Sequence, residues 1–176
     1  TSSPPSSGGA QIMIAAIYDH RVGPADGRAD RIAAWVDAQR LAYADRDHYF
    51  GDPDEVDIPL NDLLDPAYLR HRATERFAPG AVPTPGDPTT VLRGEEAASL
   101  FAPDTTEEAA GTTHLSIIDS EGNAVSMTAT VEAPFGSQRW AAGFLLNNEM
   151  TDFAREVPAD GSRPANAIAP ERRPRS

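Results

Sequence analysis

A threonine that directly follows a glycine-ended loop is the first feature of this chain that could do chemistry. The stretch GTTHLSIID (111–119) alternates and predicts a β-strand that begins at Thr112. A threonine hydroxyl becomes an effective nucleophile when the α-amine of the same residue is free to act as its base. An α-amine titrates at about pH 8, so it can accept a proton near neutrality. Thr112 would have such an amine only after cleavage of the bond between Gly111 and Thr112.

The spacing of the next strand brings two more polar side chains to the same place. The loop DSEGN predicts a hairpin turn, with its glycine where a positive φ is needed. If Asp119 and Asn123 close this turn, Thr112 lies opposite Thr130, with side chains about 5 Å apart. Glu132 lies on the same face, just beyond the strand. A register slip of one residue would send these groups to different faces.

The threonine pair also has a purely structural interpretation. Threonine is favoured in strands, and cross-strand threonine pairs are common on exposed sheet faces. The position of Thr112 directly after a loop favours the chemical interpretation. Residues 78–111 are rich in Pro, Gly, Thr, Asp and Glu and predict a mobile surface loop. A loop that ends at Gly111 is a segment that could be cut and moved aside.

The elements around these residues divide into helices before the loop and strands after it. The apolar run 10–17 predicts a buried helix between loops, and 30–50 predicts a second helix with Asp30 as N-cap. A further helix begins with Asp65 at the cap and Pro66 at its first position. Residues 143–146 predict a third strand. This order favours an α+β fold.

Composition excludes several classes of function. The chain has 176 residues, a formal net charge of −12, and only arginine among its 15 basic residues. Such an acidic chain repels nucleic acid and anionic lipid, so neither is a predicted partner. It has no cysteine, which excludes disulfides and thiolate chemistry. No apolar run reaches the length of about 18 residues that a membrane span needs.

Metal and cofactor chemistry are not predicted. The four histidines show no metal-ligand spacing, and His114 is predicted to be structural although it shares a face with Thr112. The acidic stretch GDPDEVD (51–57) lacks the regular ligand spacing of a calcium loop and predicts a solvated turn. An amine, a hydroxyl and oxyanion donors suffice for acyl transfer, so we expect no cofactor.

The residues around Thr112 resemble a known family. The segments GTTHLSIIDSEGNAVSMTATVEAPFGS (111–137) and GFLLNNEMTDF (143–153) carry the resemblance, supported by segments 4–9, 42–54 and 165–176. Together they resemble the gamma-glutamyltransferase (gamma-glutamyltranspeptidase) family of N-terminal nucleophile hydrolases. The resemblance implies an α+β fold that forms part of a four-layer αββα sandwich.

The resemblance also implies a precursor that cleaves itself between Gly111 and Thr112. Residues 1–111 would then be the C-terminal part of the large-subunit region, and residues 112–176 the N-terminal part of the small-subunit region. Thr112 would attack a γ-glutamyl amide, and the resulting ester would pass to water or to an acceptor amine. The hydroxyl of Thr130 would steady the nucleophile and its amine.

For the substrate, the resemblance assigns a small set of binding residues. Glu132, Glu149 and Asp152 would hold the α-ammonium group of the donor, and Ser176 would help to seat its α-carboxylate. Carboxylates that surround a cation discriminate for an ammonium group through charge-assisted hydrogen bonds. The donors would be glutathione-like or poly-γ-glutamate amides. Two alternatives remain, an acylase of cephalosporin-type amides on the same scaffold and a non-catalytic homologue.

The resemblance places two further parts of the site outside this segment. A carboxylate-binding arginine would lie upstream of Thr1, and a glycine-rich oxyanion hole downstream of Ser176. Each missing oxyanion donor costs roughly 10²–10³ in rate, so we expect the isolated 176-residue segment to be inactive. Relatives of this kind are usually exported, which predicts a periplasmic or extracellular location.

Overall fold

The computed structural model describes residues 2–78, 80–95, 101–106, 111–156 and 158–175. These residues form two compact units. The helical unit comprises Thr1–Thr105 together with Ala154–Ser176, and the strand unit comprises Thr106–Phe153. This division differs from the predicted subunit regions, because residues after position 153 pack with the helices. The subunit boundary concerns a cleavage site and stays a prediction.

The helices precede the strands along the chain, as predicted. The buried helix near the N-terminus is confirmed, but it is longer than the apolar run and begins two residues earlier. The helices are α1 (Gly8–Arg21), α2 (Arg28–Tyr49), α3 (Leu60–Leu63), α4 (Pro66–Thr74) and α5 (Pro88–Arg93). None of the helices in the described ranges is long and apolar enough to cross a membrane.

Two predicted details of the helices are wrong. Asp30 is not the N-cap of α2; Gly27 is, and the Asp30 carboxylate accepts the Gly27 N–H from the first turn at 3.2 Å. The loop predicted over residues 78–111 contains α5. This helix begins after Asp87, whose carboxylate accepts the N–H groups of Thr89 and Thr90, with proline at the first helical position. An Asp-Pro pair thus starts α5 in the same way as it starts α4.

The core of the helical unit lies between α1, α2 and α4. Its fully buried side chains come from all three helices and from the segments that connect them: Met13, Ile17, Leu41, Phe50, Leu63 and Tyr68. Of the apolar residues whose helical spacing predicted α2, Ala42 is buried in this core, whereas Ile32, Trp35, Val36 and Tyr43 are exposed. The spacing therefore identified the helix but not its buried face.

A buried ion pair connects α2 to α4. The Arg72 guanidinium donates to both carboxylate oxygens of Asp45, at 2.8 and 3.1 Å, and the Tyr68 hydroxyl donates to the same carboxylate. The N–H of Gly86 adds a fourth hydrogen bond at 2.7 Å. Both charged side chains are almost fully buried, and such a pair is tolerated only when its hydrogen bonds are satisfied. This cluster also fixes the chain that leads into α5.

The predicted hairpin register is confirmed. Strands β1 (Thr112–Ile118) and β2 (Ala124–Thr130) are antiparallel, and Thr112 faces Thr130. The N–H of Asp119 donates to the Asn123 carbonyl at 3.0 Å, which closes the turn. The predicted third strand is shorter than expected: β4 (Phe144–Leu145) pairs with β3 (Trp140–Ala141). All residues of β1 and β2 are exposed in this segment.

The cap of α4 gives a local stability prediction. The Asp65 carboxylate accepts the N–H of Ala67 at 2.7 Å. We expect Asp65→Ala to destabilise α4 by about 1 kcal/mol, because a helix N–H loses its partner. Amide hydrogen exchange over residues 66–74 of the full-length protein measures this change. The control is Asp57→Ala, at an exposed acid outside any helix; equal exchange in the two variants would contradict the capping role.

Candidate active site

The predicted cleavage site lies where β1 begins, and its glycine is closely packed. A Cβ atom at Gly111 would lie 2.0 Å from the carbonyl oxygen of Glu132. Any side chain at this position would therefore force the backbone to move. The close approach brings the peptide before Thr112 against the chain that leaves β2, so the predicted cleavage site lies beside the residues that follow Thr130.

The hydroxyl of Thr130 lies between this peptide and the next turn. It accepts the N–H of Glu132 at 2.8 Å and donates to the carbonyl oxygen of Gly111 at 3.5 Å, a long hydrogen bond. The first contact orients the hydroxyl, and the second directs it to the carbonyl that precedes Thr112. The described contacts of Thr130 are therefore with the uncut peptide and with Glu132 rather than with the Thr112 hydroxyl.

Glu132 leaves the strand with an unusual backbone. Its φ is +73°, in the left-handed region that non-glycine residues rarely adopt, and its side chain is buried. The following residue is held by Asn148, whose side-chain oxygen accepts the N–H of Ala133 at 3.0 Å. The Asn148 N–H in turn donates to the Val131 carbonyl at 3.3 Å. These two bonds connect the residues that follow β2 to the turn that contains Asn148.

This connection brings three carboxylates together. Glu149 and Asp152 lie at the two ends of a short 3₁₀ helix (Glu149–Asp152). Their carboxylate oxygens and one of Glu132 all lie within 4.8 Å of one another. Burial, and then the charge of Asp152, raises the pKa of Glu149 above its usual value. The three residues that the resemblance assigned as a binding group are thus brought together.

Such a cluster concentrates negative charge and would attract a cation. An ammonium group can donate three hydrogen bonds, one toward each of three carboxylates. Oxygen ligands at this spacing also suit a divalent cation. The prediction that the site holds no metal stays a prediction.

His114 takes part in a polar network on the face that carries Thr112. Its ring nitrogens lie 2.8 Å from the Thr128 hydroxyl, 3.2 Å from that of Ser116 and 3.3 Å from that of Ser126. These contacts link the two strands, which agrees with the structural role that the sequence predicts. Apart from Ile118 and Ala124 next to the turn, the face is polar, with the threonine pair at the end away from the turn.

One predicted binding residue cannot be placed, and two features were not predicted. Ser176 lies outside the described residues. The close approach at Gly111 and the cross-connection through Asn148 have no periodic signal in the sequence, since each depends on a contact with a distant residue. The only hint was the type of residue, a glycine before a strand and an Asn-Asn pair before two acids.

Comparison with known families shows which family the chain belongs to. A sequence model of the family described as gamma-glutamyltranspeptidase matches residues 1–176. This chain belongs to the gamma-glutamyltranspeptidase family. The family match covers the threonine pair, the three carboxylates and both compact units, so it includes every described residue of the candidate site.

Its relatives within and near the gamma-glutamyltranspeptidase family include several proenzymes. The chain is 35% identical over 184 aligned residues to a glutathione hydrolase proenzyme of Escherichia coli strain K12, covering 98% of this chain and 30% of that protein. It is 37% identical to a glutathione hydrolase proenzyme of Pseudomonas aeruginosa PAO1, with the same coverage. An acylase ACY 1 proenzyme of Pseudomonas sp. strain SE83 is 33% identical over 85% of this chain and 25% of its own length. The chain thus spans about 30% of the curated glutathione hydrolases it matches.

A solved structure supports the fold of this gamma-glutamyltranspeptidase segment. The chain matches the crystal structure of a cephalosporin acylase from Bacillus halodurans with a TM-score of 0.70 and 21% identity. The match covers 97% of this chain and 27% of that one. At this identity the likeness concerns the fold alone, and it agrees with the predicted α+β class.

Proposed function

We propose that the complete protein cleaves itself between Gly111 and Thr112 and then uses Thr112 to transfer or hydrolyse γ-glutamyl groups. The observation that carries the proposal is the pairing of Thr112 with Thr130, whose hydroxyl contacts the carbonyl that would be cut. Membership of the gamma-glutamyltranspeptidase family and the proenzyme names of relatives support it.

Self-cleavage would begin with attack by the Thr112 hydroxyl on the carbonyl carbon of Gly111. The C–N bond then breaks, the hydroxyl proton passes to the new amine, and the two halves are joined by an ester. Water hydrolyses this ester, which leaves a carboxylate on Gly111 and a free amine on Thr112. The Thr130 hydroxyl, which donates to the same carbonyl, would stabilise the negative charge that develops on its oxygen.

The same residue would then act on the substrate. The free amine of Thr112 accepts the hydroxyl proton while the hydroxyl attacks the γ-carbonyl of the donor. The donor's amine leaves with that proton, and a γ-glutamyl ester forms on Thr112. Water or an acceptor amine then cleaves the ester. Glu132, Glu149 and Asp152 would bind the α-ammonium of the donor and place its γ-carbonyl at the nucleophile.

The finer architecture belongs to the same proposal. The complete protein would form the four-layer αββα sandwich, in which further strands and helices cover the hairpin. The apolar face of the hairpin supports this, because Leu115, Ile117, Val125 and Met127 are at least 38% exposed in this segment. The large and small subunits would both derive from the one precursor.

Trapping the covalent intermediate tests the proposal directly. Full-length protein is mixed with a γ-glutamyl anilide, stopped in acid within one turnover, and digested for mass spectrometry. We expect one γ-glutamyl group on the peptide that begins at Thr112. Release of the aniline with the γ-glutamyl group on another residue, or with no adduct, would contradict the role of Thr112.

A further inference from the structure

The stretch from residue 163 to residue 175 packs on residues that precede Gly111. These contacts all lie inside the helical unit, although residues 1–111 and 112–176 would become separate chains after the proposed cleavage. We propose that this stretch, called here the clamp segment (163–175), continues to bind the chain that ends at Gly111 after cleavage, with Arg173 and Arg175 as its anchors. The inference rests on the proposed self-cleavage.

Arg175 is the buried anchor. Its side chain is 2% exposed and lies 3.3 Å from the carboxylate of Asp104, which is 1% exposed. The guanidinium also donates to the carbonyl oxygen of Asp47 at 3.0 Å. A buried charge without its partner is strongly destabilising, so Arg175 and Asp104 each need the other in place. Asp104 lies close to the predicted cleavage site in the sequence, and its bond to Arg175 would cross between the two products.

Backbone hydrogen bonds hold the same region. The N–H of Ala102 donates to the carbonyl of Arg163 at 3.0 Å. Within the clamp segment itself, the N–H of Arg175 donates to the side-chain oxygen of Asn166 at 2.9 Å. Both Ala102 and Asn166 are buried. Ala102 and Asp104, which precede the predicted cleavage site, are therefore held by a main-chain hydrogen bond and by an ion pair, respectively.

Arg173 is the second anchor and binds the acidic stretch 51–57. Its guanidinium contacts both carboxylate oxygens of Asp52, and its backbone N–H donates to the same side chain at 2.8 Å. It also donates to Asp54 at 2.5 Å. These hydrogen bonds from Arg173 hold the pKa of Asp52 well below its usual value. The prediction of a solvated turn is wrong for Asp52, which is buried.

Shape and charge are complementary across this contact. The clamp segment contributes arginines, and the side that precedes Gly111 contributes carboxylates from Asp47, Asp52, Asp54 and Asp104. A Cβ at Gly51 would lie 2.3 Å from the carbonyl oxygen of Ala165, so the two backbones nearly touch. Arginine pairs with a carboxylate through two parallel hydrogen bonds, which lysine cannot reproduce. The clamp segment therefore matches the part of the chain that precedes Gly111 in charge and in close backbone contact.

The test separates the clamp from self-cleavage. In the full-length Thr112→Ala protein, a recognition sequence for a site-specific protease is inserted between Thr106 and Gly111, so that the chain can be cut after folding. Amide hydrogen exchange is then compared before and after the cut. We expect the Ala102 amide and the amides of residues 52–56 to keep their protection after the cut.

Two variants examine the anchors. We expect Arg175→Gln to speed exchange at Ala102 at least tenfold in the cut protein, and Arg173→Gln to do the same for residues 52–56. Arg139→Gln removes an exposed arginine on the same side of the cleavage site and should change neither. If Arg175→Gln does not fold, Arg173→Gln decides, because that side chain is 53% exposed.

Two results would overturn the clamp. One is loss of protection at Ala102 on cutting alone, which would show that the contact does not survive cleavage. The other is unchanged exchange in the cut arginine variants that fold. Because the added protease makes the cut, failure of the wild-type protein to cleave itself would contradict the proposed function and leave this test intact.

Discussion

The full-length Thr112→Ala variant is expected to remain a single uncut chain with no γ-glutamyl transfer. Alanine removes the hydroxyl that would attack the Gly111 carbonyl, so neither the ester nor the free amine at residue 112 can form. Intact mass spectrometry measures the cut, and release of aniline from a γ-glutamyl anilide measures the activity. The wild-type protein should give two masses that meet at the bond between Gly111 and Thr112.

Neighbouring residues supply the controls for this experiment. Thr113 lies on the opposite face of β1, opposite Ala129, so Thr113→Ala should still be cut. Thr112→Ser keeps a hydroxyl and an amine and should be cut as well, with its new N-terminus at the serine. If the wild-type protein and Thr112→Ala both stay whole, the non-catalytic alternative replaces the enzyme. A cut at the same bond in Thr112→Ala would show that another group performs the cleavage.

The second large effect concerns the three carboxylates and the choice of donor. We expect Glu149→Gln or Asp152→Asn to lower kcat/KM for a γ-glutamyl anilide by about 10–100-fold each, since a charge-assisted hydrogen bond contributes about 1.5–3 kcal/mol. A glutaryl anilide has no α-ammonium group, and its kcat/KM should change less than about threefold. Steady-state kinetics with both donors measures this difference.

The comparison distinguishes the two enzyme classes. If the protein is a cephalosporin-type acylase, the wild-type protein should prefer the glutaryl donor. Glu149→Gln and Asp152→Asn should then not lower activity on the γ-glutamyl donor more than activity on the glutaryl donor. Glu121→Gln, at an exposed acid in the hairpin turn, removes the same charge away from the cluster and is the control. Equal losses for both donors would mean that the carboxylates shape the site without binding the ammonium.

The raised pKa of Glu149 adds a pH dependence to the same prediction. Burial, followed by Asp152, makes Glu149 hold its proton to a higher pH than an ordinary glutamate. KM for the γ-glutamyl donor should therefore rise as the pH falls through this raised pKa, and in Glu149→Gln this rise should disappear. A group whose pKa is raised by folding disfavours the folded state once it is ionised, so Glu149→Gln should not lower stability at neutral pH. A loss of binding can then be separated from a loss of folding.

Part of this site follows from short-range pattern alone. The pairing of Thr112 with Thr130 was predictable because strand alternation and the closing pair of a tight turn set the register locally. The start of α4 was predictable for the same reason, since Asp65 and Pro66 act on the first turn that follows them. Resemblance named Glu132, Glu149 and Asp152 as a group, but nothing in their spacing required them to meet.

The tertiary structure decided whatever depends on contacts between distant residues. Asn148 brings the carboxylates together by its hydrogen bond to the chain that leaves β2. Arg173 and Arg175 bind two buried acids, Asp52 and Asp104, which lie in stretches that the sequence predicts to be a solvated turn and a surface loop. The face of α2 that packs was likewise decided by α1 and α4 and not by its own apolar stripe. The physical reason is that local backbone preferences act over a few residues, whereas burial of a charge is favourable only once a distant partner is in place.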